Sequence, residues 1–126
     1  MKISDIMRRD VGTVRPADTV QQAAAKMAES HSSSVPVCER GRLVGLLAKS
    51  DIVVRLAALG RDPTQVPVRD IMTPNPLYCF EHESDRHVAE EMAHLQVSQL
   101  PVLDSSGRVV GMAALEDVQR NAACMD

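Results

Sequence analysis

Two short segments of this chain combine residue types and spacing that could hold a small molecule. Gly45–Asp51 and Gly111–Asp117 each place a glycine six residues before an aspartate, where an apolar stretch gives way to a helical pattern. Glycine permits close approach of the backbone, and the free N–H groups of a helix start favour an anion. An aspartate in a helix's first turn also complements the helix dipole by about 0.3–1 kcal/mol. The segments therefore indicate either two ligand sites or two ordinary helix starts.

Both segments belong to an internal repeat. Asp5-Ile6-Met7 returns as Asp70-Ile71-Met72, 65 residues later, and the offset becomes 66 at the two aspartates. A repeat at fixed offset predicts similar structural units, and units of about sixty residues bury too little surface to be comfortably stable alone. We therefore expect two repeats that pack into one module, at residues 1–62, with a linker to about 67, and at residues 68–126.

Each repeat predicts the element order β-α-β-β-α, so the expected fold class is α/β, of the α+β kind. A helix follows Thr19, which forms a capping-box pattern with Gln22, and a similar helix follows Ser84. A hairpin with a glycine-containing turn comes next in each repeat. The predicted elements are leading strands near 13–15 and 77–80, hairpin strands at 35–38, 43–47, 100–103 and 109–113, closing helices at about 50–59 and 116–123, and a linker at 60–67.

The composition of the 126 residues, 44% hydrophobic and 25% charged, is ordinary for a globular domain. No apolar run approaches the roughly eighteen residues that span a bilayer, and no signal-peptide pattern opens the chain. We expect a cytoplasmic protein without membrane contact. The cysteines and histidines lack metal-ligand spacing, so the sequence predicts reduced thiols and no metal site at Cys38, Cys79, Cys124, His82, His87 and His94.

The motifs of common enzyme classes are missing from the sequence. There is no phosphate-cradling glycine loop, no nucleophile elbow and no His-Glu-x-x-His, so we expect no catalytic activity. A net charge of −3 and 2% aromatic residues disfavour nucleic-acid binding. Residues 1–65 carry a net +3 and residues 66–126 a net −6. This asymmetry favours an anionic ligand in the first half or a self-complementary dimer, unless it is ordinary surface variation.

The chain resembles a tandem pair of CBS domains, the regulatory module named after cystathionine β-synthase. The resemblance rests on the pattern from Met7 to Pro16, on Met72–Pro76, on two hydrophobic-Pro-Val strands and on the two Gly-to-Asp segments, and it covers nearly the whole chain. It implies two three-stranded sheets that face each other across a pseudo-two-fold axis and leave two clefts between the repeats. It also implies a homodimer, formed through apolar faces of the closing helices at 52–59 and 118–123.

The resemblance further implies the residues of a ligand site. In the family, the aspartate accepts hydrogen bonds from the ribose hydroxyls of an adenosyl ligand, which assigns that role to Asp51 and Asp117. Tyr78 could instead belong to the core or rim, and the two prolines of the hydrophobic-Pro-Val strands could simply shape sheet edges. The implied ligand-binding set is Thr13, Val14, Pro16, Ser34, Val35, Pro36, Ala48, Lys49, Asp51, Pro76, Leu77, Tyr78, Gln99, Leu100, Pro101, Ala114 and Asp117.

Two departures from the family pattern bear on the ligand. Where the family usually has a hydroxyl residue before the aspartate, this chain has Ala48 and Ala114. Where the family often has arginine or histidine before the hydrophobic-Pro-Val strand, this chain has serine or glutamine. Each charge-assisted contact of that kind contributes about 1.5–3 kcal/mol. Lys49 is the main remaining cation of the first motif, whereas Glu116 opposes phosphate in the second. The departures favour S-adenosylmethionine or a breakdown product, AMP in the first cleft alone, or no ligand.

Two functional hypotheses follow from the sequence. The first is a sensor that requires no cofactor, binds AMP, ADP, ATP or S-adenosylmethionine between its repeats, and modulates a partner protein of unknown identity. The second is a ligand-independent interaction or scaffolding module with vestigial clefts, which the two alanines support. A third function, nucleotide hydrolysis, has no motif in its favour. Binding of adenosine compounds to the purified protein separates the first two.

Overall fold

The computed structural model describes residues 1–9 and 11–124, the last four of them by their backbone alone. Its helices are α1 (Val20–Ser30), α2 (Lys49–Ile52), α3 (Asp85–Leu95) and α4 (Leu115–Cys124). Its strands are β1 (Ser34–Glu39), β2 (Arg42–Ala48), β3 (Thr73–Pro74), β4 (Cys79–Phe80), β5 (Gln99–Leu103) and β6 (Val109–Ala114). Among the described residues, no helix combines the length and apolar character needed to cross a membrane.

The start of α1 has the capping box that the sequence predicted. The Gln22 N–H donates to Thr19 Oγ1 at 3.2 Å, and the Thr19 N–H donates to Gln22 Oε1 at 2.9 Å. At α3, the His87 N–H donates to the Ser84 hydroxyl at 3.1 Å. Both helices therefore begin at the residues that the local pattern indicated.

Two three-stranded sheets follow from the hairpins, and the predicted α+β fold class is confirmed. In the first sheet, β2 pairs antiparallel with both β1 and β3. In the second, β5 pairs parallel with β4 and antiparallel with β6.

The predicted leading strands are shorter than expected. Near 13–15 only Val14 pairs, in a bridge to Val37, and near 77–80 the strand comprises only Cys79–Phe80. Pro16, which directly follows the first of these segments, lacks the N–H group that longer pairing would need.

The edge of each hairpin is covered by the segment that opens the other repeat. β3 pairs through Thr73 with Leu46. At the matching place, Arg8 and Met112 exchange two backbone hydrogen bonds of 2.8 and 2.9 Å. The buried clusters show the same exchange, because Val66, Val68 and Ile71 pack with the first hairpin and Ile3 and Met7 with the second.

The chain consequently divides into two compact units that do not follow the sequence repeats. We call them the Asp51 unit, residues 11–76, and the Asp117 unit, which joins the first residues of the chain to the stretch from Leu77 onward. The stretch predicted as a linker belongs to the Asp51 unit. The carbonyls of Pro63 and Val66 accept the Gln21 and Val20 N–H groups at 3.1 and 3.0 Å, which satisfies free donors at the start of α1.

The closing helices of the two units differ. The sequence predicted one regular helix over 50–59, but α2 ends at Ile52 and continues as a π-helical turn over Val53–Ala57. Three consecutive β-branched residues, at 52–54, disfavour regular α-helix there. Leu56 packs into the core, whereas Val53 and Val54 are 60% and 63% exposed. In the Asp117 unit, α4 is regular and Val118 is buried.

We call residues 3–8 and 66–74, which pack against the hairpin of the other repeat, the exchanged segments. They predict how fragments of the chain will behave. A fragment of residues 1–62 lacks Val66, Val68 and Ile71, so we expect no cooperative thermal transition from it in circular dichroism. A fragment of residues 11–76, which is similar in length and retains this cluster, should show more helical signal. A monomeric 1–62 fragment that melts cooperatively would contradict the exchange.

Candidate functional site

The Asp51 carboxylate lies in the first turn of α2, directly after the hairpin. Its Oδ2 atom accepts a hydrogen bond from the Ala48 N–H at 2.9 Å. Ala48 is the N-cap residue and provides no side-chain hydrogen bond. Asp51 therefore stabilises its own helix start through one carboxylate oxygen, which gives it a structural role whether or not a ribose binds.

The structure brings most implied residues of the Asp51 unit to one end of its sheet. Ser34 lies opposite Ala48, and the Lys49 N–H donates to the Ser33 carbonyl at 2.9 Å. The Val14 N–H donates to the Pro36 carbonyl at 3.1 Å. Within this unit, Thr13 and Lys49 are exposed, Pro16, Ala48, Asp51 and Pro76 are half-buried, and Val14, Ser34, Val35 and Pro36 are buried.

The Asp117 unit has the same arrangement at the equivalent end of its sheet. Gln99 lies opposite Ala114, and the Leu115 N–H donates to the Ser98 carbonyl at 2.8 Å. Asp117 lies in the first turn of α4. Among the implied residues here, Leu77 and Tyr78 are exposed, Gln99 and Asp117 are half-buried, and Leu100, Pro101 and Ala114 are buried.

Arg8 is a site residue that the sequence analysis missed. Its Nε atom donates to Asp117 Oδ2 at 2.9 Å, and its Nη2 atom donates to Glu116 Oε1 at 2.8 Å. The hydrogen bond to Asp117 raises the pKa of Arg8 above its ordinary value, although partial burial opposes the shift. The available signal was a difference between the repeats, because Arg8 stands where the other copy has Thr73.

The two motif glycines are explained by contacts within the protein. A Cβ at Gly111 would lie 2.6 Å from the Arg8 carbonyl oxygen and 2.9 Å from Met7 Sδ. A Cβ at Gly45 would overlap Met72 Sδ. The close approach that the sequence predicted at these glycines is therefore made by the chain's own exchanged segments.

The aromatic residues form a row along one edge of the Asp117 unit. The rings of Tyr78 and Phe80 meet edge to face at 5.5 Å, and Phe80 stacks on His82 at 5.6 Å. Tyr78 is exposed and Phe80 half-buried. This placement favours the rim interpretation of Tyr78 over a role in the core.

The described cysteine side chains, Cys38 and Cys79, are free thiols. Burial raises the pKa of Cys38 above its ordinary value. Burial, with smaller contributions from Glu83 and Glu91, raises the pKa of Cys79 to about 12, so this thiol stays protonated at neutral pH. The Cys124 side chain, for which the sequence also predicted a reduced thiol, lies outside the described residues.

One histidine lies closer to carboxylates than the sequence suggested. His87 Nε2 is 3.3 Å from Glu91 Oε1 and 3.8 Å from Glu83 Oε1, and one ligand atom from each residue falls within 4.8 Å of the others. Glu83 Oε2 already accepts the Phe80 N–H at 2.8 Å. Contacts between exposed polar groups of this kind usually contribute little to stability. The absence of a metal site stays a prediction.

Comparison with known proteins adds a decisive observation. The CBS domain family model matches twice, at residues 3–58 and 68–123. The chain belongs to the CBS domain family. The CBS domain-containing protein YhcV of Bacillus subtilis (strain 168) is 35% identical over 119 residues, which cover 94% of this chain and 84% of YhcV. The tandem pair that the sequence predicted is confirmed.

Solved CBS structures have the same fold. The CBS domain pair of protein MJ0100, in complex with 5-methylthioadenosine and S-adenosyl-L-methionine, is 28% identical with a TM-score of 0.85, and the match covers 100% of this chain and 98% of that one. Hypoxic Response Protein I, solved with two coordinated zinc ions, is 29% identical with a TM-score of 0.83 and coverage of 95% and 98%. The chain spans less than a quarter of the length of the homoserine O-acetyltransferases of Methanohalobium evestigatum and Methanosarcina acetivorans that it matches.

The glycine contacts give a direct test of the exchanged segments. Gly111→Ala should destabilise the protein by roughly 1–3 kcal/mol, because the new methyl group meets the backbone of Arg8, which cannot move without breaking its pairing with Met112. Gly12→Ala is the matched control, since its methyl group meets only the flexible Lys26 side chain. Urea denaturation of both variants measures the difference, and equal stabilities would argue against the described packing.

Proposed function

We propose that this protein is a regulatory module that binds an adenosyl compound at the Asp51 motif and thereby modulates a partner protein. The observation that carries the proposal is the Asp51 carboxylate, which lies at a helix start beside Ala48 and Lys49 with only its Oδ2 atom engaged by the described hydrogen bond. A carboxylate has about four lone-pair positions, so Asp51 can hold its helix and still accept from ribose hydroxyls.

Local charge makes the Asp51 motif the better place for an anionic group. Lys49 is exposed and precedes Asp51 by two residues, so the two charges balance. The equivalent turn of the Asp117 unit carries Glu116 and Asp117 beside Arg8, which leaves one excess negative charge. An AMP phosphate would therefore be repelled less at Asp51.

The ligand class follows from the groups that the motif lacks. Neither unit places a hydroxyl residue at the N-cap before its aspartate, and serines or glutamine replace the expected cations beside β1 and β5. A triphosphate would find few charge-assisted partners, whereas S-adenosylmethionine needs none for a phosphate. The adenosyl ligands of the MJ0100 domain pair, which is 28% identical, support the same class.

The alternative is an interaction module that binds no ligand. Burial of Val35, Leu100 and Ala114 and the absence of an N-cap hydroxyl at Ala48 favour it. The two functions differ in one measurable property, affinity for adenosyl compounds. Wild-type protein that binds neither AMP nor S-adenosylmethionine below millimolar concentration would leave the interaction module as the function.

Variants of the Asp51 motif test the ligand site. Asp51→Ala should weaken adenosyl-ligand binding by about 1.5–3 kcal/mol, the contribution of hydrogen bonds to a charged group. Asp51→Asn keeps an acceptor for the Ala48 N–H but removes the negative charge. It therefore distinguishes loss of the charged ribose acceptor from loss of the helix start. Ala48→Thr should cap α2, with a gain of roughly 0.5–2 kcal/mol, and should strengthen AMP binding. Calorimetric titration with AMP and S-adenosylmethionine measures these effects, and unchanged affinity in Asp51→Ala would remove the proposed role.

We also propose a homodimer formed through the closing helix of the Asp51 unit. Val53 and Val54 on its π-helical turn, and Leu59 just beyond it, expose apolar side chains that a second copy could bury. The corresponding expectation for 118–123 rests largely on side chains outside the described residues.

Sedimentation velocity at micromolar concentration tests the dimer. Val54→Glu should shift the protein to monomer, because dimerisation would bury the new charge. Gln21→Glu adds the same charge on the exposed start of α1 and should leave the dimer intact. A monomeric wild type, or a dimer that survives Val54→Glu, would count against this interface.

A further inference from the structure

Arg8 holds the aspartate of the Asp117 unit through a two-carboxylate contact that we call the Arg8 clamp, formed by Arg8, Glu116 and Asp117. The guanidinium places Nε 2.9 Å from Asp117 and Nη2 2.8 Å from Glu116. The Arg8 side chain is 40% exposed and the Asp117 side chain 22% exposed. The hydrogen bond to Asp117 is charge-assisted, so it holds that carboxylate more strongly than a neutral backbone N–H would.

The backbone of Arg8 is held in place as well as its guanidinium. The Arg8 N–H donates to the Met112 carbonyl at 2.8 Å, and the Met112 N–H donates to the Arg8 carbonyl at 2.9 Å. Exposed ion pairs are usually weak, because two flexible side chains must be ordered. Here the backbone of Arg8 is already fixed against β6, which lowers the entropy cost of placing its guanidinium beside α4.

The Asp51 unit has no equivalent clamp. Thr73 takes the place of Arg8 and pairs with Leu46, and Ser50 takes the place of Glu116. Among the described residues, no Lys, Arg or His side chain lies within ion-pair distance of Asp51, whose hydrogen-bond donor is the Ala48 N–H. Two aspartates at equivalent positions therefore differ in their charged neighbours, because Arg8 and Glu116 accompany only Asp117.

We propose that the Arg8 clamp closes the Asp117 motif to adenosyl ligands, so that the chain binds one ligand, at Asp51. This inference rests on the proposed function. A ribose at Asp117 must compete with a charged donor held against the carboxylate, whereas the described hydrogen bond to Asp51 comes from a neutral backbone N–H. Arg8 thus makes the two equivalent aspartates unequal.

The test is a calorimetric titration with S-adenosylmethionine, whose net positive charge suits the acidic turn at 116–117. Wild type should bind one molecule per chain, and Asp51→Ala should bind it about tenfold or more weakly. Arg8→Thr gives position 8 the residue of the other repeat. It should increase the affinity of the Asp117 motif by about tenfold or more, so that a second molecule binds per chain. The double variant Arg8→Thr with Asp51→Ala should then keep one site, which assigns the gain to Asp117.

Reciprocal and control variants sharpen the result. Thr73→Arg with Ser50→Glu rebuilds the clamp on Asp51 and should weaken wild-type binding by about tenfold or more. Arg9→Ala removes a neighbouring arginine that contacts only the Ser4 carbonyl among the described groups, and should behave as wild type. Arg8→Gln removes the charge with less change in side-chain length and replaces Arg8→Thr if that variant melts at a much lower temperature.

The outcomes separate the two proposals. Wild type that binds two molecules, with one retained in Asp51→Ala, overturns the clamp and leaves the ligand-binding function intact. A stoichiometry of one that Arg8→Thr and Arg8→Gln leave unchanged also overturns the clamp. Absence of binding of both AMP and S-adenosylmethionine in wild type, Arg8→Thr and Arg8→Gln alike overturns the adenosyl-binding function itself, and the clamp with it.

Discussion

Backbone contact over two glycines is the constraint on which this fold depends. Arg8 pairs with Met112 beside Gly111, and Thr73 pairs with Leu46 beside Gly45. A side chain at either glycine would meet the incoming segment, by contact with the Arg8 carbonyl in one unit and with Met72 in the other. The exchanged segments also contribute to the core, because Ile71 packs in one buried cluster and Ile3 in the other. Neither hairpin has its full core without the segment that comes from elsewhere in the chain.

The same contact decides the electrostatics near each aspartate. In each unit, a residue of the exchanged segment pairs with the strand that runs directly into the helix start. In the Asp117 unit this residue is Arg8, which contacts two carboxylates, and in the Asp51 unit it is Thr73. The same pairing, common to both repeats, thus places a charged side chain near one aspartate and an uncharged one in the equivalent position of the other unit.

Local patterns predicted the fold well because they act over short distances. The capping box at Thr19 and the hairpins follow from neighbouring residues, and the repeat doubled each signal. The exchange of segments was missed, since pairing between Arg8 and Met112 joins residues more than a hundred positions apart and leaves no local pattern. The π-helical turn at 53–57 was missed as well. At the candidate site, family position indicated Asp51 and Asp117, but only geometry shows the ion pair that distinguishes them.

The exchanged segments also match the arrangement that joining two copies of one repeat would produce. A single repeat that lent its first residues to a second copy and received the same residues in return would form a domain-swapped homodimer. Joining two such copies end to end turns that swap into an intramolecular one and frees the two halves to diverge. Arg8 and Thr73 are then two descendants of one position, of which one now carries a charge and the other does not.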